Sequence, residues 1–272
     1  MAKVLTIQDF SCYGQCSLTV ALPLLSALGH ETVSLPTAVL STHTSGFKNF
    51  VVKDLTSSFD DILNHWKKEG LTFDCLYTGY LGTAQLVDYV KRIKNEFINK
   101  DKLLIVDPAM GDKGKLYPAF DMDYVNKMKE LIKEADILLP NVTEAAYLTD
   151  SDYQEHYDEE YIKTLLRKLK EKGCSKVILT DVSFKENKTG VYSLIDNKFD
   201  YYEHDKISQG FHGTGDIFAS TFTGVYLKTN DIYKAIKVSA DYVFRCIKNT
   251  SGDATHWYGV KFEKEIKELI KE

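Results

Sequence analysis

The chain has 272 residues, 44% of them apolar and 27% charged, with only 5 prolines and 16 glycines. This composition can bury a large core and excludes collagenous, low-complexity and disordered classes. Its 34 basic and 39 acidic residues leave a formal charge of −5, so there is no electrostatic footprint for nucleic acid or an anionic membrane. Apolar stretches such as Val20 to Leu28, interrupted by Pro23 and Ser26, fall short of the roughly 18 residues that span a bilayer.

Met1-Ala2-Lys3 leads straight into a short strand pattern without the apolar core and small-residue cleavage site of a secretory signal. A cytoplasmic location is expected. Cys12, Cys16, Cys75, Cys174 and Cys246 form an odd set without C-x-x-C, which predicts reduced thiols and neither a disulfide framework nor a zinc knuckle. The seven histidines contain no H-E-x-x-H pair, against a catalytic zinc site.

Along the chain, apolar runs alternate with segments of helical period, the signature of an α/β domain. Val4 to Ile7, Cys75 to Tyr77, Leu103 to Val106, Ile137 to Leu139 and Val177 to Leu179 lack polar alternation, as strands of a parallel sheet covered on both faces do. Between them, 3.6-residue stripes predict crossover helices: Leu86, Val87, Val90, Ile93 and Phe97; Val125, Met128, Ile132 and Ala135; Ile162, Leu165, Leu166 and Leu169. Thr32 to Leu55 and Gly190 to His204 read as extended, a small β elaboration beside the sheet. After Phe211 the pattern turns helical through Ile217 to Leu227 and Ile232 to Ile247, and ends in a Lys/Glu-rich tail from Val260 to Glu272. With no repeat and no Pro/Gly/Ser linker, a single domain over residues 1–272 is expected.

Ligands of open parallel sheets lie beyond the carboxyl ends of the strands, which directs attention to four segments. Gly210-Phe211-His212-Gly213-Thr214-Gly215-Asp216 is a glycine-rich turn entering a helix, where free amides and the helix dipole together hold phosphate. A carboxylate opposes such an anion, so Asp216 either starts the helix as a cap or accepts a proton from an attacking hydroxyl. Asp107-Pro108-Ala109-Met110-Gly111-Asp112 offers two carboxylates that either bind Mg²⁺ through water or solvate a turn. Pro140-Asn141-Val142-Thr143-Glu144 has the N-x-x-E spacing of a helix start with a reciprocal cap. In Thr78-Gly79-Tyr80-Leu81-Gly82 the Tyr80 ring either stacks on a flat ligand or packs. A G-x-x-x-x-G-K loop ending in Ser or Thr, a G-x-G-x-x-G after a strand, and an H-R-D with D-F-G pair are all missing, which excludes P-loop enzymes, Rossmann dehydrogenases and protein kinases.

Taken together these segments resemble the ribokinase superfamily and, within it, the pyridoxal (vitamin B6) kinases, over nearly the whole chain. G-T-G-D at Gly213 to Asp216, D-P-x-M-G-D at Asp107 to Asp112 and P-N-x-x-E at Pro140 to Glu144 match that superfamily in order and spacing. The resemblance implies a ribokinase-like three-layer fold: a central, mostly parallel sheet flanked by helices. It implies ATP-dependent phosphorylation of the hydroxymethyl group of a B6 vitamer, with Asp216 as base and the Gly213, Thr214 and Gly215 segment as anion hole. Asn141, Glu144, Thr180, His212, Gly213 and Gly215 are implied as ATP residues, and Asp107, Asp112 and Glu144 as Mg²⁺ residues. Thr44, in Ser41-Thr42-His43-Thr44, and Tyr80 are implied as vitamin residues, with Asp9 and Ser11 beside them. Lys185 to Thr189 is expected to be a charged loop near ATP, and Thr32 to Leu55 part of a flap and homodimer contact. A monovalent cation belongs to the same family expectation. Asp9 stands where many pyridoxal kinases have serine, and Asp9-Phe10-Ser11 is similar to a segment of hydroxymethylpyrimidine kinases, whose usual anion hole is G-A-G-C. A hydroxymethylpyrimidine kinase is therefore the alternative, and a non-catalytic vitamin-binding protein on the same fold the third reading.

Overall fold

The computed structural model describes residues 1–99 and 102–272. In chain order, β1 (Lys3–Ser11), α1 (Leu18–Ala27), β2 (Glu31–Leu40), β3 (Val52–Asp54), α2 (Phe59–Lys68), β4 (Phe73–Thr78), α3 (Ala84–Phe97) and β5 (Ile98–Val106) make the first half. A two-strand ribbon follows, β6 (Gly111–Asp112) with β7 (Lys115–Leu116), then α4 (Met122–Leu131), β8 (Ile137–Leu138), α5 (Val142–Leu148) and α6 (Glu159–Glu171). The last part contains β9 (Lys176–Lys185), β10 (Lys188–Ile195), β11 (Lys198–Asp205), α7 (Thr214–Thr229), α8 (Ile232–Thr250) and α9 (Ile266–Leu269). Nine strands form one sheet in the order β11-β10-β9-β8-β5-β4-β1-β2-β3. The pairs from β2 through β9 are parallel, while β10, β11 and the edge strand β3 join antiparallel. This is the ribokinase-like arrangement expected from the motifs, and no helix of the described residues is long and apolar enough to cross a membrane.

Period-2 geometry splits each central strand between two cores. Leu5, Ile7, Leu76, Leu104 and Val106 face one cluster with α2 to α6, whereas Val4, Cys75, Tyr77 and Ile105 face the other with α1, α7 and α8. Strands buried on both faces therefore read as unbroken apolar runs. Two helices escape the periodicity argument. In α1 nearly every residue is apolar and Pro23 lies inside the helix, so the period carries little contrast and the proline reads as a break. In α2 the stripe Phe59, Leu63 and Trp66 is clear but short.

The structure corrects two expectations about local form. Lys185 to Thr189 is not a loop: β9 continues to Lys185 and β10 begins at Lys188, leaving Glu186-Asn187 as the hairpin turn. Asp216 does not start its helix either. The N-cap of α7 is Gly213 at φ +80°, with Asp216 inside the first turn.

His30 ties the first layer together. Its Nδ1 accepts the Ala2 amide at 3.3 Å, so Nε2 carries the proton and donates to the Gly224 carbonyl at 2.8 Å. Burial lowers its pKa below the ordinary histidine value of 6.5. The unfolded chain then binds the extra proton first, so this group's contribution to stability is whole above about 6.5 and is lost as pH falls from there through its lowered folded value. His30→Gln is expected to flatten the acid side of a denaturation-versus-pH curve; an unchanged slope in urea melts from pH 7 to 5 would refute it.

Candidate active site

All the parallel strands end along one edge, and the candidate residues gather there. Asp9 and Ser11 are the last inward positions of β1; both are buried, and the Ser11 hydroxyl donates to Asp9 Oδ2 at 2.9 Å. Burial raises the Asp9 pKa, opposed first by hydrogen bonding from Ser17 and Ser11. Next along the sheet, Gly79 follows β4 against Gln8, where a β-carbon would come within 2.7 Å of Oε1. The half-buried Tyr80 ring packs 5.0 Å from Phe120, which stacks on Tyr124. Burial and then the charge of Asp9 push its phenol up to about 12.

Beyond β5, Asp107 is buried, and its Oδ1 accepts the Ala109 amide at 3.1 Å. Glu144 lies beneath the following turn and collects three backbone amides: Met110 at 2.9 Å and Gly111 at 3.5 Å on Oε1, and Asn141 at 2.9 Å on Oε2. Asn141 Oδ1 accepts the Glu144 amide in return, completing a capping box, and Asn141 Nδ2 donates to the Gly111 carbonyl. The N-x-x-E spacing thus does form the reciprocal cap, and the same cap stitches α5 to the Asp107–Asp112 turn. Burial, then the charge of Glu144, raises the Asp107 pKa well above the carboxylate range. Burial likewise pushes Glu144 up to about 7 against its three amides. Asp112 is exposed at the rim, its Oδ1 on the Lys113 amide. Thr180 lies within β9, bridged to Asn141, with its amide on the Pro140 carbonyl.

The glycine turn meets this edge from the opposite layer. A β-carbon on Gly213 would lie 2.0 Å from the Gln15 carbonyl oxygen, so positive φ and close backbone approach both demand glycine. Gly213→Ala is expected to cost about 1–3 kcal/mol from the strained φ alone, with more from the clash, and to abolish turnover; wild-type melting behaviour would contradict this packing. Half-buried Asp216 projects into the space shared with Asp107 and Asp9. Burial first, then the charge of Asp107, raise its pKa to about 8, against the Ser17 amide. His212 is exposed at the same turn, its ring 5.5 Å from that of His43.

The structure therefore brings Asp9, Ser11, Tyr80, Asp107, Asn141, Glu144, Thr180 and Gly213 to Asp216 to one sheet edge. Thr44 and Asp112 stay exposed at its margins. Two contributors were missed as candidates: His43, buried beside the Thr44 position, and the 14–17 loop that packs on Gly213. Gly14 was the available signal. It sits at φ +95°, and a β-carbon there would come within 2.1 Å of the His43 ring.

The phosphomethylpyrimidine kinase family matches residues 4–260. A Bacteroides thetaiotaomicron protein described as a phosphomethylpyrimidine kinase and crystallised with pyridoxal is 36% identical, with a TM-score of 0.92 over 98% of this chain and 95% of that one. Pyridoxal kinase of Lactobacillus plantarum is 30% identical, with a TM-score of 0.91 over 100% of this chain and 97% of its own. Pyridoxal kinase of Dictyostelium discoideum is 28% identical across 82% of this chain and 77% of its length. With the match running from β1 past the end of α8, on this fold and these strand-end motifs, the chain belongs to the phosphomethylpyrimidine kinase family.

Proposed function

We propose that the chain is a pyridoxal kinase, one kinase domain over residues 1–272 that transfers the γ-phosphoryl group of ATP to the 5′-hydroxymethyl group of pyridoxal, pyridoxine or pyridoxamine. The observation that carries this reading is the place of Asp216. It stands in the first turn of α7, next to the amides of Gly213 to Gly215 and across from Asp107. A group of raised proton affinity there accepts the proton of an attacking hydroxyl while the glycine amides balance charge on the transferring phosphoryl. Asn141, Thr180, His212 and the Gly213 to Gly215 turn border the nucleotide; Asp9, Ser11, Thr44 and Tyr80 border the vitamin.

Mg²⁺ fits the donor set. Asp107 and Glu144 are buried carboxylates, burial and then the charge of Glu144 raising the proton affinity of Asp107, and burial, with the charge of Asp112, that of Glu144, and neither has a Lys or Arg salt-bridge partner among the described residues. Those residues contain no ready cage of three or more ligands, as suits an ion that keeps its waters and leans on phosphate oxygens. Asp107, with one oxygen uncommitted, would hold the ion, while Glu144 and Asp112 would act through water. When bound, the ion neutralises phosphate charge. The same reading includes a monovalent cation, a homodimer and a cytoplasmic location.

The pyridoxal-bound relative supports the vitamin assignment, and Asp9 is the feature that favours hydroxymethylpyrimidine instead. A panel of pyridoxal, pyridoxine, pyridoxamine and hydroxymethylpyrimidine with Mg·ATP decides. Pyridoxal 5′-phosphate absorbance is the expected result; a much higher kcat/KM for hydroxymethylpyrimidine overturns it, and no turnover of any alcohol leaves a binding protein.

A further inference from the structure

The segment from Asp253 to Val260 lies outside every motif above, yet it touches two loops at the Asp9 end of the site, residues 13–15 and 43–47. His43 Nδ1 accepts the Ser45 amide at 3.2 Å, so its Nε2–H donates to the Tyr258 carbonyl at 2.7 Å. His256 Nε2 meets Gln15 Oε1 at 2.9 Å. The Trp257 ring packs 4.6 Å from Phe47, and Gly46 lies so close beneath it that a β-carbon would come within 2.7 Å. The Tyr258 ring packs 4.8 Å from Tyr13 and 4.4 Å from His256.

These contacts lead to the candidate chemistry through two short links. Gln15 carries the carbonyl against which Gly213 packs, and His43 packs on Gly14 with its ring 5.5 Å from His212. The segment is anchored on its far side. Val260 and Phe262 are buried, the Tyr242 hydroxyl donates to the Phe262 carbonyl at 2.8 Å, and Thr250 Oγ1 accepts the Lys261 amide at 2.8 Å. Trp257 of the segment is 45% exposed at the rim, and Tyr13 of the loop it touches is 51% exposed. A segment rooted in the core and fastened to both loops holds them at fixed separation, and such preorganisation is realised as affinity.

We infer that residues 253–260 form a strap in which Trp257, seated on Gly46 and Phe47, is a positioning residue for the vitamin end of the site and sets affinity for the aromatic alcohol, whereas the strap's links toward Gly213 and His212 run through His256 and the Tyr258 carbonyl. The inference rests on the kinase reading above. Trp257→Ala frees Gly46 and Phe47 and is expected to raise the KM of the phosphorylated alcohol about tenfold, with kcat and the ATP KM within about twofold of wild type. Trp257→Phe should restore most of the loss.

Hydrogen exchange on the wild-type protein provides a second readout. Pyridoxal alone should slow amide exchange in 41–47 and 253–260, and ADP alone should leave 44–47 unchanged. Parallel rises in the alcohol and ATP KM values, or exchange in 253–260 indifferent to pyridoxal, would overturn the strap. Turnover of hydroxymethylpyrimidine in place of pyridoxal would sink only the vitamin assignment; the KM split and the exchange are then read with hydroxymethylpyrimidine as ligand.

Discussion

Replacing Asp216 by asparagine is expected to lower kcat by about 10²- to 10⁴-fold, the contribution typical of a positioned general base, without lowering the melting temperature. Gly213 caps α7 and Asp216 lies inside the first turn, so no cap is lost. A carboxylate near a helix N-terminus contributes about 0.3–1 kcal/mol, but burial and Asp107 already penalise its charge, holding the pKa at about 8. A folded pKa raised above the ordinary 3.8 means that the stability this group contributes is present at low pH and lost as pH rises through about 8. Asparagine escapes that loss, so the variant should be at least as stable as wild type at pH 8 and above. ATP affinity should hold or rise as a negative charge near the phosphates disappears. The wild-type kcat/KM profile should carry an acid limb near pH 8, absent from the residual activity of the variant. Near-wild-type turnover would falsify the catalytic role.

The second large effect concerns Glu144, which serves structure and metal at once. Glu144→Ala leaves the Met110, Gly111 and Asn141 amides without their acceptor, at about 1–3 kcal/mol for each one left dry; a drop in Tm large enough to read in any thermal melt is expected. Glu144→Gln is the informative variant, because it is the neutral isostere and keeps one acceptor. The wild-type carboxyl titrates near 7 rather than 4.5 when folded, so in metal-free protein its stabilising share is complete below about 4.5 and disappears as pH rises through about 7. The stability gap between wild type and Glu144→Gln should therefore be widest near pH 5 and narrow toward pH 8. With Mg²⁺, Glu144→Gln should raise the metal concentration for half-maximal rate; an unchanged metal dependence with an altered pyridoxal KM would refute the role.

By itself, the sequence determined the layer architecture and the strand ends that carry chemistry. Parallel strands covered on both faces are apolar without alternation, and the crossover helices α3, α4 and α6 show one stripe each, so both are visible locally. Asn141 and Glu144 were legible as a cap because capping joins residues only three positions apart, and Gly213 because a phosphate-type turn draws its glycines from one short stretch. Helix α1 was hidden by its uniform apolarity and Pro23, and the hairpin at Glu186-Asn187 by charges that mark solvent exposure as readily as a loop. Only tertiary structure decided that Glu144 reaches back to Met110 and Gly111, that Asp216 faces Asp107 and Asp9, and that Trp257 covers Gly46. Those contacts join residues separated by tens to more than two hundred positions, and the burial that shifts their proton affinities exists only after the two helical layers close on the sheet.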